Sequence, residues 1–336
     1  MTPFKRIVVF HPGAIGDVTL ATPVAGALKA AFPGSQLIYW THRSLGDLLG
    51  LCRSIDRVVG YDREKGVWQL RRELAGMGPD LVVDLAGSPR SRWLTFMSRV
   101  KVVRYAKQAA EVVPVQHAVE NFLATLAPLG IKAPDKLFPT LSVPDETLES
   151  VRRQIGAGAP DGRALVGLVP GVGRLRPHRA WIEEGWVYAA RILLRSGRYT
   201  PVLIGGEDET GLCEEISSQV AAVADGCLNA AGRLSLAETA AVCKLCRVVV
   251  SGDTGPAHIC VAAGTPVVGL YGPTLPERSG PYGCEALTID ESHHCRCRQS
   301  KICTVPGITG PGECMRRISL EEVFVKLRLA LADEAL

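Results

Sequence analysis

The clearest pattern in the chain is an alternation of short apolar runs with helical segments, and it is sharpest over residues 248–274. Residues 248–250 are apolar and β-branched, as in a central parallel strand. Turn-forming residues interrupt this run before a small apolar helix, residues 257–263, and a second apolar strand, residues 266–270. The pattern predicts a strand, a tight loop, a helix and a further strand within a parallel sheet.

The same alternation begins near the N-terminus. Residues 5–10 predict a strand and residues 18–32 a helix, joined by a glycine-rich turn that contains Gly16 and Asp17. Asp17 falls at the N-terminus of the helix, where either a capping residue or a functional carboxylate would lie. The G-x-x-G spacing of the turn differs from the G-x-G-x-x-G of dinucleotide-binding proteins, so a nicotinamide-dependent enzyme is not expected.

Two segments near the middle of the chain break the pattern. Residues 132–144 and 156–162 are rich in proline and glycine, and a new alternation of strands and helices follows them. We therefore expect an α/β protein with two Rossmann-like domains, residues 1–158 and 159–336, that face each other across a cleft. An amphipathic helix at the C-terminus is predicted to pack back on the N-terminal domain.

Composition narrows the function classes. The chain has 336 residues, of which 47% are hydrophobic and 21% charged, as in a globular protein of two domains. A net charge of +4 is compatible with an anionic ligand but does not favour nucleic acid as a partner. No apolar run reaches the length of a membrane span, and the first apolar run is too short for a signal peptide. We expect a cytoplasmic protein with mostly reduced cysteines.

Two loops of the second half have the chemistry of a phosphate site. Gly255 stands at the start of a helix that follows a strand, where free backbone N–H groups and the helix dipole bind anions. Asp253 and His258 add a carboxylate and an imidazole that an ordinary turn does not need. In the other loop, residues 171–181, cationic side chains come after glycines. This combination is suited to binding a diphosphate. A plain βα turn and a solvated loop are the alternatives.

Residues 88–108 carry six basic residues and no acidic one, with aromatic residues between them. A solvated helix face followed by a strand accounts for most of these charges. The alternative is a surface for an acidic or lipid-linked acceptor, in which Arg90, Arg92 and Arg99 would contact that acceptor.

The segment from Cys284 to Cys314 is irregular and has the pattern C-x10-C-x-C-x5-C-x10-C, with His293 and His294 adjacent. Structural zinc sites favour two cysteines separated by two to four residues, so Cys295 and Cys297 make a poor first pair. We expect free thiols or a local disulfide here, with a metal ion as the alternative.

Five stretches together resemble glycosyltransferase family 9, the bacterial heptosyltransferases that extend the inner core of lipopolysaccharide. They are GAIGDVTLATPVAGALKAAFP, DLVVDLAGSPRS, QHAVENFLATLAPLGI, VLIGGEDE and VVVSGDTGPAHICVAAGTPVVGLYGPT. The resemblance covers most of the chain and implies a GT-B fold, with a nucleotide-sugar donor in the C-terminal domain and the acceptor in the N-terminal one. It also implies an inverting transfer, usually from ADP-heptose, without an essential metal or other cofactor. A lipid-linked glycan at the inner membrane surface is the implied acceptor.

The resemblance also implies roles for individual residues. Asp17 is the candidate general base toward the acceptor hydroxyl, with Gly16 beside it in the acceptor site. Glu209 falls where the family has an acid that contacts the ribose, and Leu234 where the base packs. Backbone N–H groups of the loop around Gly255 would hold the diphosphate as it leaves. The donor-site candidates are Gly171, Gly173, Arg179, Glu209, Leu234, Asp253, Thr254, Gly255 and His258.

One loop departs from the family pattern. Members usually have a serine or threonine where this chain has Gly173, and Arg179 stands in place of the lysine in Lys-x-Trp-Pro. An arginine binds phosphate through a planar fork and not as a point charge, so the exchange is not neutral. Three alternatives stay open: another nucleotide-sugar donor, a nucleotide-sugar epimerase of the same fold, and a non-catalytic nucleotide-sugar binder.

Overall fold

The computed structural model describes residues 4–96, 100–108, 114–132, 136–156, 162–224, 226–298, 300, 302–334 and 336. The chain forms two compact units, Met1–Ser142 and Val143–Leu336. The expected boundary at 158/159 lies outside the described residues. The division comes before it because helix α7 (Asp145–Gln154) packs against helix α10 (Leu236–Leu245) of the second unit.

The described strands of the first unit form a five-stranded parallel sheet in the order β3-β2-β1-β4-β5. Its strands are β1 (Arg6–Phe10), β2 (Gln36–His42), β3 (Arg57–Tyr61), β4 (Leu81–Asp84) and β5 (Lys101–Arg104). Its helices are α1 (Ile15–Leu20), α2 (Thr22–Ala31), α3 (Gly46–Gly50), α4 (Val67–Met77), α5 (Pro89–Thr95) and α6 (Ala118–Ala124). In the central strand Ile7 pairs with Leu37 on one side and Leu81 on the other, and all three are fully buried. A continuous apolar strand is what a parallel sheet covered on both faces requires.

The helix predicted over residues 18–32 is two helices, which meet at Ala21. Pro23 has no N–H, so it cannot continue the hydrogen-bond ladder onto the carbonyl of Thr19. The hydroxyl of Thr22 donates to that carbonyl instead, at 2.7 Å. Because of this break, α1 ends soon after Asp17. Asp17 therefore lies in a short helix that is separate from α2.

The described strands of the second unit form a six-stranded sheet in the order β11-β10-β9-β6-β7-β8. They are β6 (Ala164–Val169), β7 (Tyr199–Leu203), β8 (Leu228–Asn229), β9 (Cys246–Gly252), β10 (Val267–Tyr271) and β11 (Ile289–Asp290). The further helices are α8 (Glu183–Arg195), α9 (Thr210–Ala221), α11 (Gly255–Ala262), α12 (Pro276–Ser279), α13 (Glu313–Arg317) and α14 (Leu320–Leu331). The strand, loop, helix and strand predicted over residues 248–274 are confirmed as β9, α11 and β10.

The C-terminal helix α14 packs on α8, β9 and β10 of its own unit. Val323 and Leu327 lie fully buried on its inner face, whereas Val325 and Leu329 are exposed. Its predicted packing on the N-terminal domain stays a prediction. Among the described helices, none is both long and apolar enough to cross a bilayer.

Candidate functional site

Both sheets reverse their strand order at one point, and that point fixes where a ligand is expected. In the first unit the chain moves from β1 to β2 and β3, and then places β4 on the other side of β1. In the second unit it moves from β6 to β7 and β8, and then places β9 on the other side of β6. Ligands of open α/β sheets bind at such reversals, outside the carboxyl ends of the strands. The loops after β1, β6 and β9 lie at these reversals.

In the first unit, the loop after β1 presents Asp17. Its side chain is exposed and lies in the first turn of α1, with Gly16 half-buried beside it. A Cβ atom on Gly13 would lie 2.9 Å from His11 Nε2 and 3.5 Å from Asp17 Cβ. Glycine at position 13 thus lets the loop close over His11 and bring Asp17 to the carboxyl edge of the sheet.

His11 is a residue that the sequence reasoning missed. It is 4% exposed, its ring stacks edge-on against Phe122 with 5.1 Å between centroids, and its Nδ1 lies 3.4 Å from the hydroxyl of Tyr39. Burial lowers the pKa of His11 to about 3, so the imidazole is neutral at physiological pH. A histidine directly after an apolar strand was the available sequence signal. The loop around Asp17 thus rests on an uncharged, buried ring.

Asp84, at the carboxyl end of β4, is a second missed residue. Its Oδ1 accepts hydrogen bonds from the backbone N–H groups of Ala86 and Gly87, at 3.1 and 3.2 Å. Burial raises the pKa of Asp84, against the hydrogen bonds that it accepts and the nearby guanidinium of Arg104. Its contacts hold the turn that leads into α5.

Of the three arginines predicted to meet an acceptor, the two that the structure describes have different surroundings. The Arg90 guanidinium donates to the backbone carbonyls of Arg63 and Lys65, so it ties α5 to the loop after β3. Arg92 is exposed. Arg99, the third residue of that prediction, lies outside the described residues. Arg92 therefore has an accessible charge, and Arg90 is engaged in holding the loop.

In the second unit, Glu209 joins the loops that follow β6 and β7. Its Oε1 accepts from the backbone N–H of Gly173 at 3.2 Å, and its Oε2 from the N–H of Gly206 at 2.9 Å. A Cβ atom on Gly171 would lie 2.0 Å from Glu209 Cγ, so any larger residue would displace the carboxylate. Gly173 has φ +75°, a backbone conformation that favours glycine. The structure thus brings Gly171, Gly173 and Glu209 together.

Arg179 and Asp253, 74 residues apart, form a largely buried ion pair between Arg179 Nη1 and Asp253 Oδ2. Their side chains are only 11% and 12% exposed. Burial lowers the pKa of Arg179, and the Asp253 carboxylate opposes that shift, so the guanidinium stays charged. The pair joins the loop after β6 to the loop after β9. The Asp253 carboxylate also partly neutralises the charge of Arg179, one of the cations that the sequence analysis expects to meet a phosphate.

The N-terminus of α11 completes this edge of the sheet. Thr254 is the N-cap residue, but its hydroxyl lies 3.0 Å from Ser251 Oγ and makes no capping bond to the helix. The first N–H groups of the helix, beginning at Gly255, lack intrahelical acceptors and lie where an anion is stabilised. His258 is buried within the first turn that follows.

Leu234 lies half-buried in the turn before α10. Its neighbour Gly232 adjoins the Glu209 turn, since a Cβ atom there would lie 2.4 Å from Thr210 Oγ1. The loops after β6, β7 and β8 therefore adjoin one another at the carboxyl edge of the sheet. This edge combines a rigid glycine loop, a largely buried arginine and a helix N-terminus. Together these features are suited to binding a phosphorylated ligand.

Comparisons with known proteins indicate the family of the chain. The profile of glycosyltransferase family 9 (heptosyltransferase) matches residues 67–308. The chain is 25% identical over 313 residues to lipooligosaccharide heptosyltransferase 2 of Haemophilus ducreyi, covering 84% of this chain and 88% of that one. It is 28% identical over 327 residues to lipopolysaccharide heptosyltransferase 1 of Pseudomonas aeruginosa, covering 89% and 87%.

The fold agrees with a solved structure of the same kind. The structure of E. coli ADP-heptose lps heptosyltransferase II superimposes with a TM-score of 0.76 at 19% identity, over 98% of this chain and 100% of that one. Two Rossmann-like units with parallel sheets are the components of the GT-B fold. With the profile match extending over both units, the chain belongs to glycosyltransferase family 9, the heptosyltransferases.

Proposed function

We propose that this glycosyltransferase moves heptose from ADP-heptose to a hydroxyl of a lipopolysaccharide core acceptor, with inversion at the anomeric carbon. The observation that carries the proposal is the set of contacts at the carboxyl edge of the second sheet, where Glu209 fixes a glycine loop beside the Arg179–Asp253 pair. The names of the relatives support heptose as the sugar, and the name of the E. coli ADP-heptose enzyme supports ADP as its carrier.

The donor's diphosphate is the part that this edge is suited to bind. A Cβ atom on Gly173 would meet no atom within 4 Å, so a phosphate can approach the loop backbone closely there, while the Gly173 N–H is held by Glu209. Arg179 supplies the positive charge, held in place by Asp253. As the bond between the anomeric carbon and the diphosphate breaks, negative charge grows on ADP. Fixed N–H groups at the start of α11 stabilise that charge without reorganising.

On the acceptor side we propose Asp17 as the general base. As the acceptor oxygen attacks the anomeric carbon, its proton passes to the Asp17 carboxylate and ADP departs. A single carboxylate is sufficient for such a direct displacement, because the leaving diphosphate needs no proton at neutral pH. Support comes from the exposure of Asp17 at the carboxyl edge of β1, at the point where the strand order reverses.

A patch of exposed aromatic residues supports peripheral attachment to the inner membrane, where a lipid-linked acceptor would lie. Trp68, Trp93 and Phe96 are 76%, 59% and 53% exposed. Trp93 and Phe96 stack with 5.3 Å between ring centroids. Arg71 lies over the ring of Trp68 and donates to the backbone carbonyl of Trp93, so it connects the three rings. Aromatic rings beside arginines are suited to the boundary between lipid headgroups and acyl chains.

The Asp17→Asn variant tests the base. It keeps the size of the side chain but cannot accept the proton, so kcat should fall by about 10²–10⁴-fold. ADP affinity, measured by calorimetry, should stay at the wild-type value. Asp47→Asn is the matched control, since Asp47 is likewise an exposed aspartate in the first turn of a helix in the same unit.

Transfer is measured with ADP-heptose and a heptose-deficient core acceptor. Wild-type turnover by Asp17→Asn would remove Asp17 as the base. An isomerised donor formed without acceptor would identify an epimerase, and ADP-heptose binding without transfer to any acceptor would identify a non-catalytic binder.

The Arg179→Ala variant tests the donor site. It removes a cation and leaves the Asp253 carboxylate unpaired beside the phosphates, so ADP should bind about 10–150-fold more weakly, the equivalent of a charged hydrogen bond. Arg174→Ala is the control from the same loop, because Arg174 forms an exposed pair with Asp208. Calorimetric titration with ADP measures both. Equal affinities for the two variants would contradict the assignment of Arg179.

The double variant Trp68→Ser, Trp93→Ser tests the membrane surface. Each aromatic side chain contributes about 1.5–3 kcal/mol when it is fully buried, so partitioning onto vesicles with anionic lipid should fall at least about tenfold. Tyr188→Ser is the control, since Tyr188 is 52% exposed on α8 of the other unit. Co-sedimentation with vesicles gives the bound fraction, and unchanged binding by the double variant would exclude this patch as the contact surface.

A further inference from the structure

The loop that leads to Asp17 is fixed at both of its ends. Residues 11–14 connect β1 to α1 without regular secondary structure. At the first end, the carbonyl of His11 accepts a hydrogen bond from the buried hydroxyl of Thr41, on β2, at 2.7 Å. At the other end, the carbonyl of Ala14 accepts from a backbone N–H of α1 at 3.0 Å. The position of Asp17 then depends on what holds the middle of the loop.

An arginine from the loop after β3 holds the middle. Nη2 of Arg63 donates to the backbone carbonyl of Pro12 at 3.0 Å. The side chain of Arg63 is exposed, and β2 lies between β3 and β1 in the sheet. Arg63 therefore reaches across the carboxyl end of β2 to the loop after β1. A charged donor makes a stronger hydrogen bond to a carbonyl than a neutral donor does.

A buried ring supports the same loop from the inside. A Cβ atom on Gly13 would lie 2.9 Å from His11 Nε2 and 3.5 Å from Asp17 Cβ, so the imidazole and the aspartate flank one glycine. The ring of His11 is itself fixed, because it stacks on Phe122 and lies within reach of the hydroxyl of Tyr39. The loop thus has a rigid inner support, and the arginine holds it from the outer side.

The backbone from which Arg63 extends is also held in place. Arg90 of α5 donates to the carbonyls of Arg63 and Lys65. The guanidinium of Arg90 lies 5.9 Å from the centre of the Tyr61 ring, at the end of β3. A side chain that starts from a fixed backbone loses less conformational freedom when it forms a hydrogen bond. A continuous series of contacts therefore runs from α5, through the loop after β3, to the loop that carries the candidate base.

We propose that Arg63 is a positioning residue for Asp17. By holding the carbonyl of Pro12, it keeps the loop in the conformation that places the carboxylate within hydrogen-bond reach of the acceptor hydroxyl. The inference rests on the proposed role of Asp17 as the general base. Proton transfer requires this short distance, and a displacement of about 1 Å can lower a rate about 10²-fold. Arg63 itself takes up no proton and forms no bond to the reacting atoms.

A double-mutant cycle on kcat tests the proposal. Arg63→Ala should lower kcat about tenfold, because the base is then held less well. The melting temperature and the KM for ADP-heptose should stay near the wild-type values, since the lost hydrogen bond comes from an exposed side chain. In the Asp17→Asn background the same substitution should change kcat little, because no base is left to position.

Two further variants serve as controls. Arg63→Lys keeps a cationic donor of nearly the same reach, so it should recover most of the lost kcat. Arg43→Ala should retain the wild-type kcat, since Arg43 is an exposed arginine whose guanidinium pairs with Asp62 of the same loop. A raised KM for the acceptor at unchanged kcat in Arg63→Ala would identify a direct contact with the acceptor and overturn the positioning role.

The Asp17→Asn variant alone distinguishes a failure of this proposal from a failure of the proposed function. Wild-type turnover by Asp17→Asn would remove the base itself, and with it the role of Arg63. If Asp17→Asn is slow and Arg63→Ala lowers its kcat by a further factor of about ten, the base stands and only the positioning role is rejected. A wild-type kcat in Arg63→Ala would also reject only that role.

Discussion

One carboxylate holds two loops at the carboxyl edge of the second sheet in place. Both carboxylate oxygens of Glu209 accept hydrogen bonds from backbone N–H groups, one in the loop after β6 and one in the loop after β7. Charged acceptors make stronger hydrogen bonds than neutral ones, so this bridge fixes two loops that have few side chains of their own. The glycines around it follow from the same contact. A Cβ atom at Gly171 or Gly205 would lie within 3.0 Å of the Glu209 side chain. The residue that the family resemblance assigns to the ribose thus also supports the loop that we propose for the diphosphate.

From that support, the remaining contacts extend to more distant parts of the unit. The turn that ends the loop after β6 carries His178 and Arg179 side by side. Arg179 connects it to Asp253 and the N-terminus of α11, and the carbonyl of His178 connects it to Gly312, the residue before α13. The departures of this chain from the family pattern fall in this loop. With φ +75° at Gly173, a glycine adopts the loop without strain, and an arginine at 179 finds a carboxylate within reach.

Much of the fold could be predicted from the sequence, because strands that are buried on both faces have continuous apolar sequences. β9, α11 and β10 lie where the pattern placed them. The errors have local causes. The first helix was predicted to continue through Pro23, although a proline has no N–H to donate to the carbonyl four residues before it. Short elements such as β8 and β11, of two residues each, carry no periodicity that a pattern could detect.

The candidate site was predictable in its residue types but not in its contacts. Glycine loops and a helix N-terminus are local features, and they were visible. The pairing of Arg179 with Asp253, and the bridge from Glu209 to Gly173, join residues 74 and 36 positions apart, which no local pattern encodes. The cysteines show the same limit. Their spacing along the chain does not reveal that the folded segment turns back and brings Cys297 Sγ within 3.2 Å of Cys303 Sγ.

Amide hydrogen exchange in the Glu209→Gln variant tests the central role of this carboxylate most directly. Glutamine keeps the shape of the side chain but turns one of its two acceptors into a donor, which faces a backbone N–H. The amides of Gly173 and Gly206 should exchange faster than in wild type, and ADP should bind about tenfold more weakly. Glu207→Gln, an exposed neighbour in the same turn, should leave both unchanged. Wild-type protection of both glycine amides in Glu209→Gln would contradict the account, whatever happens to ADP affinity.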